Sequence, residues 1–297
     1  VILSGVLNST KGIQVKKLER EFAQMMGTKH AIAVSSGSAA IHAAICAINP
    51  DPGSEIISTP VTDMGAITPI IYQGCIPIFA DIDPFSYNVT AETIAKQINP
   101  LTKAIIVTHL FGNPCDMKPI MELAHSKNIP VIEDSAQCVL GYIGDKLVGT
   151  FGDMASWSFE TKKHISTGEG GMVTTNNNTY GTIIRKHGGI GYKTLEAGQS
   201  LRQLLPKDFQ NPNYKRHDTL GWNYRMNELT AAVGLAQLER VNYLVERRKL
   251  IAKMYDKAFA DSDFITPQKV LRGHINTYWT YTVKFEGNDW FDFYNKI

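Results

Sequence analysis

Three short stretches of this chain put reactive residue types where the chain changes direction. Ser35-Ser36-Gly37-Ser38-Ala39-Ala40 joins an apolar segment to a helical pattern. A small-residue turn of this kind exposes backbone N–H groups and hydroxyls at a helix N-terminus, which suits an anion. Taken alone it is as readily an ordinary N-cap on Ser36 or Ser38. Val131-Ile132-Glu133-Asp134-Ser135-Ala136-Gln137 ends an apolar run on carboxylates. A carboxylate at the end of a buried strand needs a cation or hydrogen bonds. Asp134 therefore either meets a positive partner, such as a cofactor ring nitrogen, or caps a helix. The third stretch, Ser156 to Gly171, holds Ser158, Lys163 and Gly168-Glu169-Gly170-Gly171. A lysine set just after a strand, beside hydroxyls and a tight glycine turn, can form a Schiff base. The alternative is a surface Lys162-Lys163-His164 run before a flexible turn.

Together the stretches offer an anion cup, a carboxylate for a ring nitrogen and a lysine for an aldehyde. Those are the three handles of pyridoxal 5′-phosphate (PLP). Competing chemistries lack their signatures. His109 and His187 have no partner at metal-ligand spacing and read as structural, so no metal site is expected. Gly188-Gly189-Ile190-Gly191 does not open a helix as a dinucleotide fingerprint does, and no GxxxxGK[ST] occurs. Cys46, Cys75, Cys115 and Cys138 form no CxxC pair and read as free, buried thiols in a reducing cytoplasm.

The elements that must position these residues follow from periodicity. The chain has 297 residues, 43% hydrophobic and 20% charged, which suffices for a large core. A formal net charge of +2 gives no reason to expect nucleic acid as the main partner. No apolar run reaches membrane-spanning length, so no membrane partner is expected, and no signal peptide is visible. The start at Val1 and the helix-like Phe291 to Ile297 suggest a fragment cut at both ends. Helices are predicted over Ile13 to Met26, Ala39 to Ile48, Gly65 to Tyr72, Ala91 to Ile98 and Met117 to Ser126. Apolar strands alternate with them: Ala31 to Val34, Glu55 to Ser58, Ile76 to Ala80, Ala104 to Thr108 and Val131 to Glu133. Continuous apolar strands covered on both faces imply a mostly parallel sheet, whose strand C-termini share one ligand-binding edge. A hairpin turns at Gly144-Asp145, and strands follow at Ala155 to Phe159 and Met172 to Thr175. Residues 188 to 220 read as one long polar loop, with Arg202 and the triplet Lys215-Arg216-His217 in it. A helix from Met226 should run past Arg248, with Leu229, Ala232, Val233, Ala236 and Leu238 inward. The division expected is a large domain over 1–250 and the start of a smaller one over 251–297.

These motifs, with Gly74 to Asp83, Lys103 to Asp116 and Gly221-Trp222-Asn223-Tyr224-Arg225-Met226-Asn227-Glu228, resemble the DegT/StrS-type family of PLP-dependent sugar aminotransferases. The resemblance covers essentially the whole chain. It implies a fold-type I PLP transferase, an α/β large domain with a small C-terminal domain. By it, Lys163 carries the Schiff base and Asp134 pairs with the pyridine nitrogen. Gln137 lies beside the ring oxygen, and Gly37, Ser38 and Ser158 hold the phosphate. Asn223 reaches the phosphate of the neighbouring subunit in a homodimer with shared sites. The implied reaction moves an amino group from glutamate or glutamine to a keto-sugar, nucleotide-linked as in polysaccharide biosynthesis, or to a cyclitol ketone. Thr62-Asp63 stands where family members commonly have an aromatic residue over the ring, and Glu160-Thr161 where many have His-Pro. Two alternatives share the fold. PLP-dependent sugar dehydratases replace the lysine with histidine, but counting back from Gly168 puts the family lysine on Lys163 rather than His164. A non-catalytic regulatory protein is disfavoured because Lys163, Asp134 and Ser158 are all present. Lys215-Arg216-His217 would suit a sugar nucleotide's diphosphate, or be plain solvated surface.

Overall fold

The computed structural model describes residues 1–198, 206–287 and 289–296. Arg202 lies outside the described residues. The first half alternates strand and helix: α1 (Gln14–Met26), β1 (His30–Val34), α2 (Gly37–Ile48), β2 (Glu55–Ser58), α3 (Met64–Tyr72) and β3 (Ile76–Phe79). It continues with α4 (Ala91–Ala95), β4 (Thr102–Thr108), α5 (Met117–Ser126) and β5 (Val131–Asp134). Strands β6 (Tyr142–Ile143), β7 (Lys146–Leu147), β8 (Met154–Ser158) and β9 (Gly171–Thr175) follow. Then come α6 (Asn178–Gly188), α7 (Pro206–Phe209), α8 (Glu228–Leu238) and α9 (Val241–Ala258). The last elements are β10 (Ile265–Pro267), β11 (His274–Ile275), β12 (Val283–Phe285) and α10 (Trp290–Lys296).

Seven strands form one sheet in the order β1-β9-β8-β5-β4-β2-β3. Strand β9 is antiparallel to both its neighbours, and the other pairs are parallel. Strands β1, β2, β4, β5 and β8 therefore all point their C-terminal ends to one edge. The central strands β5 and β8 are buried at every position, as their unbroken runs require. Edge strand β3 tolerates Pro77, which could not donate to a ladder inside the sheet.

Both faces of the sheet are covered. Ala-rich α2, buried from Ala39 to Ala47, lies against one face, where its small side chains permit close approach. Helices α1 and α8 cover the other, packing with Trp157 and Phe159. Phe22 of α1 meets both rings edge-on, at 5.4 and 5.6 Å between centroids.

Several expectations need correction. Helix α4 stops at Ala95, because the chain turns through Lys96 and Gln97 ahead of Pro100. Residues 178–188, the last of which opens the expected loop, form helix α6. Its buried positions are Gly181, Ile184 and Gly188, so glycine hides the apolar period. The helix expected from Met226 is two helices, broken at Glu239–Arg240. The inward face of α8 is Glu228, Ala231, Gly234 and Leu235. Leu229 and Val233 are 40% and 48% exposed, and Ala236 is exposed too. The helix is apolar nearly all round, so periodicity cannot choose a face. Close approach decides instead, since a Cβ on Gly234 would stand 3.1 Å from Leu18 Cδ2. Beyond α9, β10 and β12 pair antiparallel, while β11 returns to pair with β6.

Candidate active site

The five strand ends converge as the topology requires. Gly37, Ser38, Asp134, Gln137, Ser158 and Lys163 line one cavity of about 530 Å³. Two glycines make this convergence possible. A Cβ on Gly37 would stand 2.8 Å from Ser158 Cβ, and one on Gly171 would stand 2.2 Å from Ser36 O. The turn after β1 thus meets the start of β9 backbone to backbone and packs directly on the Ser158 side chain at the end of β8.

Ser36 is the N-cap of α2, and its Oγ accepts from Ala39 N at 3.1 Å. Gly37 and Ser38 occupy the first turn, where the amides are free to bind an anion. The two sequence readings of this turn are therefore compatible: Ser36 caps, and the next residues face the cavity.

Asp134 closes β5, and no helix starts after it for it to cap. Its Oδ1 accepts from Ala136 N at 3.2 Å and Ser156 Oγ at 3.4 Å, and its Oδ2 from Thr108 Oγ1 at 3.5 Å. All three bonds are long for a carboxylate that is only 4% exposed. Burial pushes its carboxyl up, opposed by the Ala136 N–H and then by Lys163 and other neighbours. A carboxylate so placed is suited to a cation in the cavity.

Lys163 follows β8 in a turn closed by its own N–H on Glu160 O at 3.0 Å. Burial pulls its amine below the ordinary lysine value, against the opposing pull of Asp134, Glu160 and Asp63. That is the direction a nucleophilic lysine needs. His164 points elsewhere: its buried Nε2 donates to Thr277 O at 3.0 Å. Burial brings its pKa down to about 4, so it is neutral near pH 7. The lysine, not its histidine neighbour, faces Asp134's cavity.

Gln137 Oε1 accepts from Phe111 N at 2.7 Å, which leaves the amide hydrogens of Gln137 to donate. Asp63 also lines the cavity, and its Oδ1 caps α3 through Gly65 N at 2.7 Å. The aromatic side chains on the cavity wall are Phe111 and Trp279, neither of which the sequence singled out. Phe111 follows β4 with a positive φ of 62°, a strained setting with no sequence signature. Trp279 comes from the segment after β11.

Asn223, expected to serve the neighbouring subunit, does not line this cavity, and neither does the triplet Lys215-Arg216-His217. Asn223 is exposed and bridged to Gly189. Helix α8 is capped by Asn227, not by Asn223. The His217 ring lies 4.5 Å from that of Tyr192.

Behind Asp134 sits a buried hub. Glu133 accepts from His109 Nε2 at 3.0 Å, Gly149 N at 2.8 Å, and Phe151 N and Gly152 N at 2.6 Å each. Cys115 N donates to His109 Nδ1 at 3.1 Å, so both ring nitrogens are engaged within the fold and His109 has a structural role. Cys46, Cys75, Cys115 and Cys138 are free and buried. Among the described residues, no group of three or more His, Cys, Asp or Glu could hold a metal ion. Nor is any described helix long and apolar enough to cross a membrane.

The cavity thus offers anion-binding amides, a buried carboxylate, an amide donor and an amine with a depressed pKa. The set fits a phosphorylated aldehyde with a basic ring nitrogen. Comparison with known proteins points the same way. The model of the DegT/DnrJ/EryC1/StrS aminotransferase family matches residues 2–290. GDP-perosamine synthase of Escherichia coli O157:H7 is 37% identical over 93% of this chain and 70% of its own length. The crystal structure of an aminotransferase from Psychrobacter cryohalolentis superposes with a TM-score of 0.88 at 32% identity, covering 95% of this chain and 72% of that one. A GDP-4-keto-6-deoxymannose-3-dehydratase (ColD) mutant solved with GDP-perosamine aligns with a TM-score of 0.86 at 26% identity, covering 97% and 75%.

Proposed function

This chain belongs to the DegT/DnrJ/EryC1/StrS aminotransferase family, and we propose that it aminates a nucleotide-linked keto-sugar with glutamate or glutamine as donor. It is a PLP-dependent aminotransferase of fold type I, acting on a sugar or cyclitol ketone. The observation that carries our assignment of residues is the meeting of Lys163, Asp134 and the α2 N-terminus in one cavity. Bound there, PLP supplies an aldehyde and an electron-accepting ring.

In this reading Lys163 Nζ would hold the aldehyde covalently, and the donor amine would free it. Once free, it takes the proton from the donor's Cα as base and returns it as acid. Its burial favours this, because a pKa pulled below the ordinary lysine value makes the proton easier to give up. The Asp134 carboxylate holds the proton on the ring nitrogen. The α2 amides at Gly37 and Ser38, with the Ser38 and Ser158 hydroxyls, hold the phosphate. Gln137 donates its free amide hydrogens to the ring oxygen.

Asn223 serves a second copy of the chain in this reading. Its exposure supports that role, as do Trp222 at 52% exposed and the bare Leu229 and Val233 on α8. The protein is then a homodimer with shared sites. Free buried thiols favour a reducing cytoplasm. We assign 1–250 to the large domain and 251–297 to a smaller one, whose β10–β12 sheet is separate from the main sheet.

The GDP-perosamine synthase relative favours a nucleotide-linked ketone over a free cyclitol. The dehydratase alternative is less well supported, because Lys163 lines the cavity while His164 is turned to Thr277. Incubation with GDP-4-keto-6-deoxymannose and glutamate, followed by mass spectrometry, separates the readings. Amination gives a GDP-amino-sugar, and dehydration gives loss of water. Lys215→Ala with Arg216→Ala should raise KM for that substrate by tenfold or more if the triplet binds diphosphate. Activity on ordinary α-keto acids alone would overturn the sugar reading.

A further inference from the structure

Trp279 has no role in the assignment above, yet its setting is unusually constrained. The preceding residue, Tyr278, has a φ of 50°, in the left-handed region that a bulky side chain rarely adopts. Many tethers hold it there. Asn276 Oδ1 accepts from Tyr278 N at 2.7 Å, and Thr277 N donates to Gly112 O at 2.9 Å. His164 Nε2 donates to Thr277 O at 3.0 Å. Arg248 Nη1 donates to Trp279 O at 2.8 Å and to Tyr278 O at 3.4 Å. Gly112 gives the segment room to pass, since a Cβ there would stand 2.7 Å from the backbone nitrogens of both Tyr278 and Trp279. Strain held by this many bonds is characteristic of functional positions.

What the strained segment delivers is an indole beside the reactive amine. Trp279 Nε1 donates to Lys162 O at 3.0 Å, which fixes the ring relative to the lysine turn. Lys163 Nζ lies 4.5 Å from the ring centroid, in cation–π geometry. We infer that Trp279 is the positioning residue for the proton carrier: its face holds the uncoupled Lys163 amine, most tightly in the ammonium form that the amine adopts on taking up a proton. This inference rests on the role proposed for Lys163. It gives the amine a fixed resting point after the donor displaces it, so that it is not lost to the open side of the cavity.

The charges around Lys163 must be set against the ring. Asp134 from β5, Asp63 at the cap of α3, and Glu160 and Glu169 from the β8–β9 connection favour the ammonium form. Of the positive groups, Lys162 lines the same cavity and Arg248 holds the Trp279 carbonyl, while His164 is neutral near pH 7. Removing the indole also rehydrates the amine, an effect opposite to the loss of cation–π attraction. The decisive comparison is therefore between Trp279→Phe, which keeps an aromatic face, and Trp279→Leu, which keeps only apolar bulk.

The experiment is competitive acetylation of the cofactor-free full chain with trace acetic anhydride across pH, read at the Lys163 peptide. We expect the Lys163 midpoint in Trp279→Leu to lie about half a unit to one unit below that in Trp279→Phe. In turnover, Trp279→Leu should lose kcat more than it raises KM, with Trp279→Phe retaining most of it. Coincident midpoints in the two variants would overturn the inference. Borohydride trapping with PLP is run on the same proteins. Attachment at Lys163 in wild type, together with coincident midpoints, removes the role of Trp279 alone. No attachment at Lys163 in wild type would remove the reading beneath it.

Discussion

Replacing Asp134 with Asn should raise the stability of the cofactor-free protein and lower the activity of the loaded one. The amide matches the carboxylate in shape, so the change isolates charge. In the cofactor-free chain, Asp134 is buried and its three acceptor bonds, at 3.2, 3.4 and 3.5 Å, are long. Burial holds its carboxyl above the ordinary value, so the folded state binds the proton more tightly than the unfolded one. Stability therefore falls as pH rises from the ordinary carboxylate value through the folded one, and the full cost is present above it. Asn removes that cost. After allowing for the lost attraction to Lys163, a gain of about 1 kcal/mol is expected, or roughly 2–4 °C in Tm. The difference between variant and wild type should shrink as pH falls toward 4. With cofactor the sign reverses. A carboxylate about 4 Å from a cation gains roughly 4 kcal/mol at an effective dielectric near 20. Losing much of that predicts a fall in kcat of about a hundredfold or more. The assays are thermal melts of cofactor-free protein at several pH values and steady-state turnover. A variant that melts lower at pH 7 and turns over within about threefold of wild type would refute the reasoning. It would make Asp134 an acceptor for Thr108, Ser156 and Ala136 and nothing more.

Other perturbations test the surroundings. Glu133→Ala leaves His109 Nε2 and three backbone N–H groups without their acceptor, and should cost about 4 kcal/mol in urea unfolding. A loss under about 1 kcal/mol would mean that water replaces the carboxylate. Asn223→Ala and Lys163→Ala should each be poorly active alone. Mixed under subunit exchange they should regain activity, because one of the two sites in a mixed dimer carries neither lesion. No recovery on exchange would place the whole site within one chain.

Much of the scaffold was legible because the physics that forms it is local. Strand β2 and helix α5 have the bounds that their apolar patterns predict. The strand-end motifs were legible for a related reason: a parallel sheet gathers its C-terminal ends, so residues far apart in sequence must meet there. Where close backbone approach replaced apolar burial, the pattern failed. Helix α6 turns glycines inward, and α8 turns Ala231 and Gly234 inward while exposing Leu229 and Val233. Long-range pairs were also silent. Glu133 as the partner of His109, 24 positions away, has no spacing signature. Neither has Trp279 beside Lys163, since only the fold brings the segment after β11 across the lysine turn. The departure at Asp63 has a local reason, because its carboxylate caps α3. With Asp63 there, Phe111 and Trp279 supply the aromatic surface of the cavity.

The central claim is that Lys163, rather than Lys162 or His164, is the residue that holds the cofactor. Borohydride reduction of the PLP-loaded full chain, followed by peptide mapping, tests it directly. The account predicts one phosphopyridoxyl group per chain, on Lys163, and none in Lys163→Ala, which should also lose turnover. A label on Lys162, or no label at all, would contradict it.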